Sequence, residues 1–241
     1  MDTLIYLASK SPRRREILSN LGWEPVVLAD PKAPRGWFAG DEEEKPGETP
    51  EDYVLRTAVV KLMDGLCARN ELPDAREDRP VLAADTVVSL DGRVLGKPRD
   101  RTEAEAFLRS MSGRTHEVRT AVAVGVSRAE WDSVVVTSTV EMRELSDAEI
   151  AAYAATAEPY DKAGGYGIQA QQDFHLPHFR QLFRNHGSAR VRIRGIAGSI
   201  RGQGADSGTL KTASAFKAIS NPNKGRRSFG GLRISVSTQI T

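Results

Sequence analysis

The stretch LIYLASKSPRRREILSNLG, residues 4–22, decides the fold class. Leu4 to Ala8 is a short apolar run of strand character. Ser11 then stands where a helix N-cap belongs, with Pro12 at the first helical position, Leu18 and Leu21 on the inner face and Gly22 at the end. Strand, polar loop and helix follow in close succession, and the alternation continues outward. Thr49-Pro50 opens a second helix with Leu55, Val59, Leu62 and Leu66 on one stripe. Thr102 with Glu105 makes a capping box for a third that stops at Gly113, and Ser146 with Glu149 caps a fourth. Between them lie β-rich runs at 81–90, 118–126 and 134–142, the last alternating Val136, Ser138, Val140 and Met142 with Thr137, Thr139, Glu141 and Arg143. The pattern predicts an α/β or α+β fold without internal repeats.

The chain has 241 residues, 39% hydrophobic and 6% aromatic, which suffices for a core and fits one domain or two small ones. That composition excludes collagen-like, coiled-coil and wholly disordered chains. No apolar run reaches the ~18 residues of a membrane span, and Met1 to Leu7 lacks the regions of a signal peptide, so a cytoplasmic protein with no membrane partner is expected. The single cysteine, Cys67, excludes an internal disulfide framework and a Cys-rich zinc site. The net charge of +2 conceals a split: residues 1–169 carry −8, residues 170–241 carry +10. The latter stretch holds three of the four histidines and no Glu, Trp or Tyr, so two compositions share one chain.

Four segments are too polar for packing to explain. Ser9-Lys10-Ser11-Pro12-Arg13-Arg14 lies between strand and helix, where free N–H groups and the helix dipole favour an anion; two hydroxyls and three cations there suit a polyphosphate, the alternative being a capped, solvated helix start. Asp85 interrupts the apolar strand Ala83-Ala84-Asp85-Thr86-Val87-Val88 and needs a metal, a cation or a strand-end position, because a buried unpaired carboxylate costs several kcal/mol. Lys97 sits in the turn Gly96-Lys97-Pro98, unremarked on its own. Residues 158–169, EPYDKAGGYGIQ, carry three glycines that let backbone approach a ligand, or else form a plain loop after a helix.

Together these segments resemble the Maf family of nucleoside triphosphate pyrophosphatases. The resemblance runs from Leu4 to Gln169 through LASKSPRR, GETPEDYVLRTAVVK ending at Lys61, LAADTVV, LGKPRD, SGRTHEV at 112–118, and EPYDKAGGYGIQ. It implies a mixed, twisted sheet flanked by helices with an active-site cleft, similar to the inosine triphosphatase-like fold, and hydrolysis of a nucleoside triphosphate to the monophosphate and pyrophosphate. Ala84-Asp85-Thr86 with Gln169 looks like the branch acting on dTTP and UTP, with modified pyrimidine nucleotides as further candidates. On this resemblance Asp85 is the proton acceptor and Glu42 a second acidic residue, the two also holding a divalent metal, Mg²⁺ or Mn²⁺. Arg13, Arg14, Lys61 and Lys97 would surround the triphosphate, with Ser9 and Ser11 adding hydroxyls, while Arg13, Thr86 and Gln169 match positions linked to nucleotide choice. An ordinary Asp titrates near ~3.9, too low for a strong base, so Asp85 is expected to work on a metal-polarised water or to be raised by desolvation. His116 follows the family but reads as structural. The partner is the nucleotide, a homodimer is compatible, and nucleic acid is not favoured.

Past Gln169 the resemblance ceases: a family segment similar to I-x-G-x-Y-S-G-I-M-G-L-P-x-x-E is missing. Codons for His178 to Ile193, read after discarding the first base and with synonymous letters chosen, can spell ISGNYSGIMGLPVYE. The first base of each shifted codon is fixed, so the agreement is hard to obtain by accident. The expectation is a Maf-like domain at 1–170 lacking its usual ending, and an out-of-frame Arg/Gly/Ser-rich segment at 171–241 that makes few packed contacts and impairs the enzyme. The rival is an inactive nucleotide-binding domain with a basic nucleic-acid-binding tail. Apolar residues such as Val191, Ile193, Ile196 and Ile200 interrupt the charge and weigh against it.

Overall fold

The computed structural model describes residues 3–28 and 42–167, together with the backbone of short strands at 183–185, 190–194, 228–229 and 232–233. The first unit forms as its sequence dictates: β1 (Leu4–Leu7), α1 (Pro12–Asn20) capped by the Ser11 hydroxyl, then β2 (Glu24–Val27). Gly22, at φ +82°, makes the turn between α1 and β2. There follow α2 (Pro50–Asn70), β3 (Val81–Leu90), β4 (Arg93–Leu95), α3 (Arg101–Met111), β5 (Thr115–Gly125), β6 (Trp131–Met142) and α4 (Asp147–Ala154). Two 3₁₀ turns, Glu158–Asp161 and Ala163–Gly165, complete the continuous stretch. β7 (Phe183–Asn185) and β8 (Arg190–Arg194) both pair antiparallel with β6, and β9 (Ser228–Phe229) pairs with β10 (Leu232–Arg233). Beyond these backbone pairings, the expected loose packing of 171–241 lies outside the described residues.

The sheet is mixed, as the sequence implies, in the order β2-β1-β3-β5-β6-β7 with β4 added to β3. β1 is parallel to both β2 and β3, whereas β3, β5 and β6 form a long antiparallel meander. Among the described residues, the edge of β3 that faces away from β5 is paired only at its two ends. β1 reaches Val81 and Leu82, and β4 takes Val88 to Leu90, so a window is left along residues 83–87. Backbone alternation turns the peptide groups of Ala84 and Thr86 into that window.

One face of the meander packs against α2 through Val81, Ala83, Val87, Ala121 and Val135. The helix stripe that meets them is Val54, Ala58, Leu62 and Leu66; the expected Leu55 and Val59 lie half-buried at its flank. Gly65 sets the depth of that contact, since a Cβ there would stand 2.7 Å from Ala8 Cβ and 3.0 Å from Val81 Cγ1. The opposite face carries two separate cores. Leu82, Ala84, Val122, Val124 and Val134 pack with Leu18 of α1, while Val88, Leu90, Val118, Val140 and Met142 pack with α3, α4 and Tyr166. The α3 cap also differs from expectation: Asp100, not Thr102, accepts the Glu103 amide at 2.9 Å, because Glu105 is held by Arg101 and Arg109. The expected Ser146/Glu149 box is present in full.

Candidate functional site

Asp85 lies in the middle of the window, not at a strand end. It shares a register with Ala121 of β5, so its side chain emerges on the face covered by α2. There Lys61, about three turns into that helix and buried, donates to Asp85 Oδ1 at 2.8 Å and to Glu42 Oε1 at 3.3 Å. Two carboxylates thus converge on one ammonium group. Tyr53, about two helical turns before Lys61, donates its hydroxyl to the Glu42 carbonyl at 2.8 Å and ties that residue to the start of α2. Its own phenol is pushed up to about 12 by burial and by the charges of Asp85 and Glu42.

Arg14 enters from the other side of the sheet. Its Nη1 donates to the Ala84 carbonyl at 2.8 Å and to Ser9 Oγ at 3.0 Å. Ala84 would give that carbonyl to β1 if β1 ran on; the guanidinium occupies the place the strand leaves. Burial lowers the Arg14 pKa and the Asp85 charge opposes that shift. Ser9 Oγ also accepts from the Ser11 amide, and Ser11 Oγ accepts from the Arg14 amide as the α1 cap. With Pro12 lacking an N–H and the Ser11 and Arg14 amides bonded to hydroxyl oxygens, the N-terminus of α1 brings chiefly the positive end of its dipole to this corner, flanked by half-buried Arg13 and exposed Lys10.

The hydrogen bonds and ion pairs bring together Ser9, Ser11, Arg14, Lys61, Glu42 and Asp85. Arg13 stands beside Arg14, whose ionisation it opposes. Thr86 is adjacent but faces the other way, in hydrogen-bonding contact with Thr120 at 3.1 Å. Lys97 is exposed on the turn after β4 and, among the described residues, no hydrogen bond or ion pair joins it to this group. Its turn does meet the glycine-rich segment: the Gly164 amide donates to the Gly96 carbonyl at 2.9 Å. Gln169 lies outside the described residues.

Asp85 and Glu42 are hard oxygen donors aimed at one cationic point, a set that suits Mg²⁺ or Mn²⁺. Such ions commonly rest on one or two carboxylates and complete their shell with water and phosphate oxygens. Tyr53 and Thr120 escaped the sequence reading. The signal for Thr120 was present: it is a polar residue in register with the apolar Val118, Val122 and Val124 on the inward face of β5.

His116 is structural, as read. It is 2% exposed, and its Nε2 is hydrogen-bonded to the Tyr166 hydroxyl with the rings edge-on. Burial lowers its pKa to about 4. As pH falls, the unfolded chain takes up this proton first, near ~6.5. The stability due to neutral His116 is therefore complete above that value and should be lost progressively down to about 4. Unfolding free energy measured against pH should fall over that interval and flatten in His116→Asn; an identical slope in the variant would assign the acid sensitivity to other groups.

Comparison with known proteins places these features among relatives. The family described as Maf-like protein matches residues 4–179. A protein from Bordetella avium named dTTP/UTP pyrophosphatase is 47% identical over 176 residues, covering 72% of this chain and 83% of the relative. One of the same name from Methylobacillus flagellatus is 50% identical over 167 residues, covering 69% and 77%. Among solved structures, a nucleoside-triphosphatase / dITP/XTP pyrophosphatase from Mycobacterium abscessus aligns with 59% of this chain and 75% of its own at 19% identity and TM-score 0.36.

Proposed function

This chain belongs to the Maf-like family, and from that premise we propose that it hydrolyses dTTP and UTP to the nucleoside monophosphate and pyrophosphate in the cytoplasm. The observation that carries the reading is the window in β3, where a carboxylate, a buried lysine, a guanidinium and the N-terminal end of α1 meet at a sheet edge left unpaired among the described residues. The named relatives supply the substrate class.

The chemistry requires a water in line with the bond between the α-phosphorus and the bridging oxygen, an acceptor for its proton, and compensation for charge on the leaving pyrophosphate. Lys61 engages Oδ1 of Asp85, which leaves Oδ2 to take the proton. The ammonium also orients the carboxylate beside the window. Arg14, fixed by Ala84 and Ser9, stands where the phosphate chain must pass, and with Arg13, Lys10 and the α1 N-terminus it forms a cationic wall for the leaving group. Ser9 and Ser11 contribute hydroxyls to the same wall. Asp85 and Glu42 would hold a divalent cation, which when bound supplies further neutralisation of phosphate charge. Lys97 would act from the opposite wall, and Gln169 from the segment that follows Gly167.

The test is product identity. Incubated with dTTP or UTP and Mg²⁺, the chain should release pyrophosphate and monophosphate in equal amounts, and a chelator should abolish the release. Orthophosphate as the first product would overturn the reaction; full turnover in the chelator would overturn the metal.

A further inference from the structure

Between the two cores on the α1 face of the meander runs one cross-strand row, Thr86, Thr120 and Val136, in register across β3, β5 and β6 and all half-buried; Val136 packs against the α1-side core, and the two threonines are in neither. The row before it, Ala84–Val122–Val134, is covered by α1, and the row after it, Val88–Val118–Ser138, lies under the glycine-rich turn. No ionisable side chain occurs in these three rows. The row is thus the floor of a cleft whose walls are the two cores, and it opens at the window beside Asp85.

Charge divides this cleft by chemistry. The cations stand at the sheet edge, where a polyphosphate would bind, while the floor one strand further in offers two hydroxyls and an isopropyl group. A floor of that kind suits the neutral part of a nucleotide, and the α-phosphorus at Asp85 fixes the nucleoside as the next group along. The hydroxyls of Thr86 and Thr120 are bonded to each other at 3.1 Å, so one of the two protons is used within the pair and the other O–H is left for a ligand oxygen. β-Branching restricts both side chains at χ1, which holds the pair in place before a ligand arrives.

We propose that Thr120 is a positioning residue: through its bond to Thr86 it holds that hydroxyl, at the position the family resemblance links to nucleotide choice, where it meets the uncharged half of the nucleotide. The placement of the nucleoside rests on the pyrophosphatase reading; the binding comparison below does not depend on turnover.

The experiment compares the full chain with Thr120→Val and Thr120→Ser, using two probes that separate the halves: uridine monophosphate and inorganic tripolyphosphate, each titrated by calorimetry. Loss of one net hydrogen bond should weaken uridine monophosphate binding about three- to tenfold in Thr120→Val. Tripolyphosphate binding should be unchanged, and Thr120→Ser should restore the nucleotide affinity. With UTP the Val variant should raise KM more than it lowers kcat. Equal weakening of both probes would mean a distorted fold, and no change in either would mean a packing residue; both outcomes overturn the proposal, as would a wild-type chain that binds tripolyphosphate but not uridine monophosphate. A wild-type chain that binds both probes but does not cleave UTP would refute the pyrophosphatase reading alone, leaving the binding comparison to decide on Thr120.

Discussion

Asp85→Asn should lower kcat for UTP by about a hundredfold or more, the scale of a lost general base, while the chain still unfolds cooperatively. The substitution keeps the shape and one oxygen for Lys61, so the 2.8 Å contact survives as a weaker, singly charged hydrogen bond. What is lost is the negative charge at the window, and with it both the proton acceptor and one of the two carboxylates that converge on Lys61. Lys61 is buried, and removing a partner from a buried ion pair is costly, so some loss of stability should accompany the loss of turnover. Steady-state kinetics and thermal unfolding on the same preparation separate the effects. Turnover within a few-fold of wild type would remove Asp85 from the mechanism.

The second large effect should fall on stability. Gly164→Val meets two obstacles at once. The residue has φ +69°, which an L side chain adopts at a cost of roughly 1–2 kcal/mol. Its Cβ would also lie 2.9 Å from Val88 Cβ, inside van der Waals contact with a strand that cannot retreat, since β5 flanks it on one edge and β4 on the other. Overpacking of this kind adds about 1–3 kcal/mol, so chemical denaturation should show a loss of about 2–5 kcal/mol. Gly164→Ala meets the same φ and the same first contact but fills less space, and should fall below Val in cost. A variant as stable as wild type would mean that the turn can lift off Val88. The hydrogen bond from Gly164 to Gly96 would then not hold the two segments together.

The fold was legible wherever a local rule and the tertiary context agreed. Ser11, Pro12 and Gly22 bounded α1, Thr49 and Ser146 proved to be caps, and β3 spans the predicted run from Val81 to Leu90. The errors arose where neighbours decided. Asp100 competes with Thr102 for the same helix and wins because its carboxylate reaches the N3 amide. The α2 stripe keeps the expected Leu62 and Leu66, but its first half shifts by one position, to Val54 and Ala58. β2 and β4 are too short to show a period.

Within the site, the sequence marked Asp85, Ser9 and Arg14 as chemically out of place, the family resemblance added Lys61, and the structure joins them. It could not show that the strand opposite Asp85 stops early, for the length of a pairing depends on where two distant segments end. Nor could it reveal that Thr86 and Thr120 meet, because the antiparallel register across the α3 connection is fixed only by the assembled sheet.

The meander has a mechanical meaning as well. β3, β5 and β6 run continuously beneath both cores, and the row through Thr86, Thr120 and Val136 lies between the two. The cores therefore share one mounting, and their spacing is tied to the twist of three strands rather than to any single side chain.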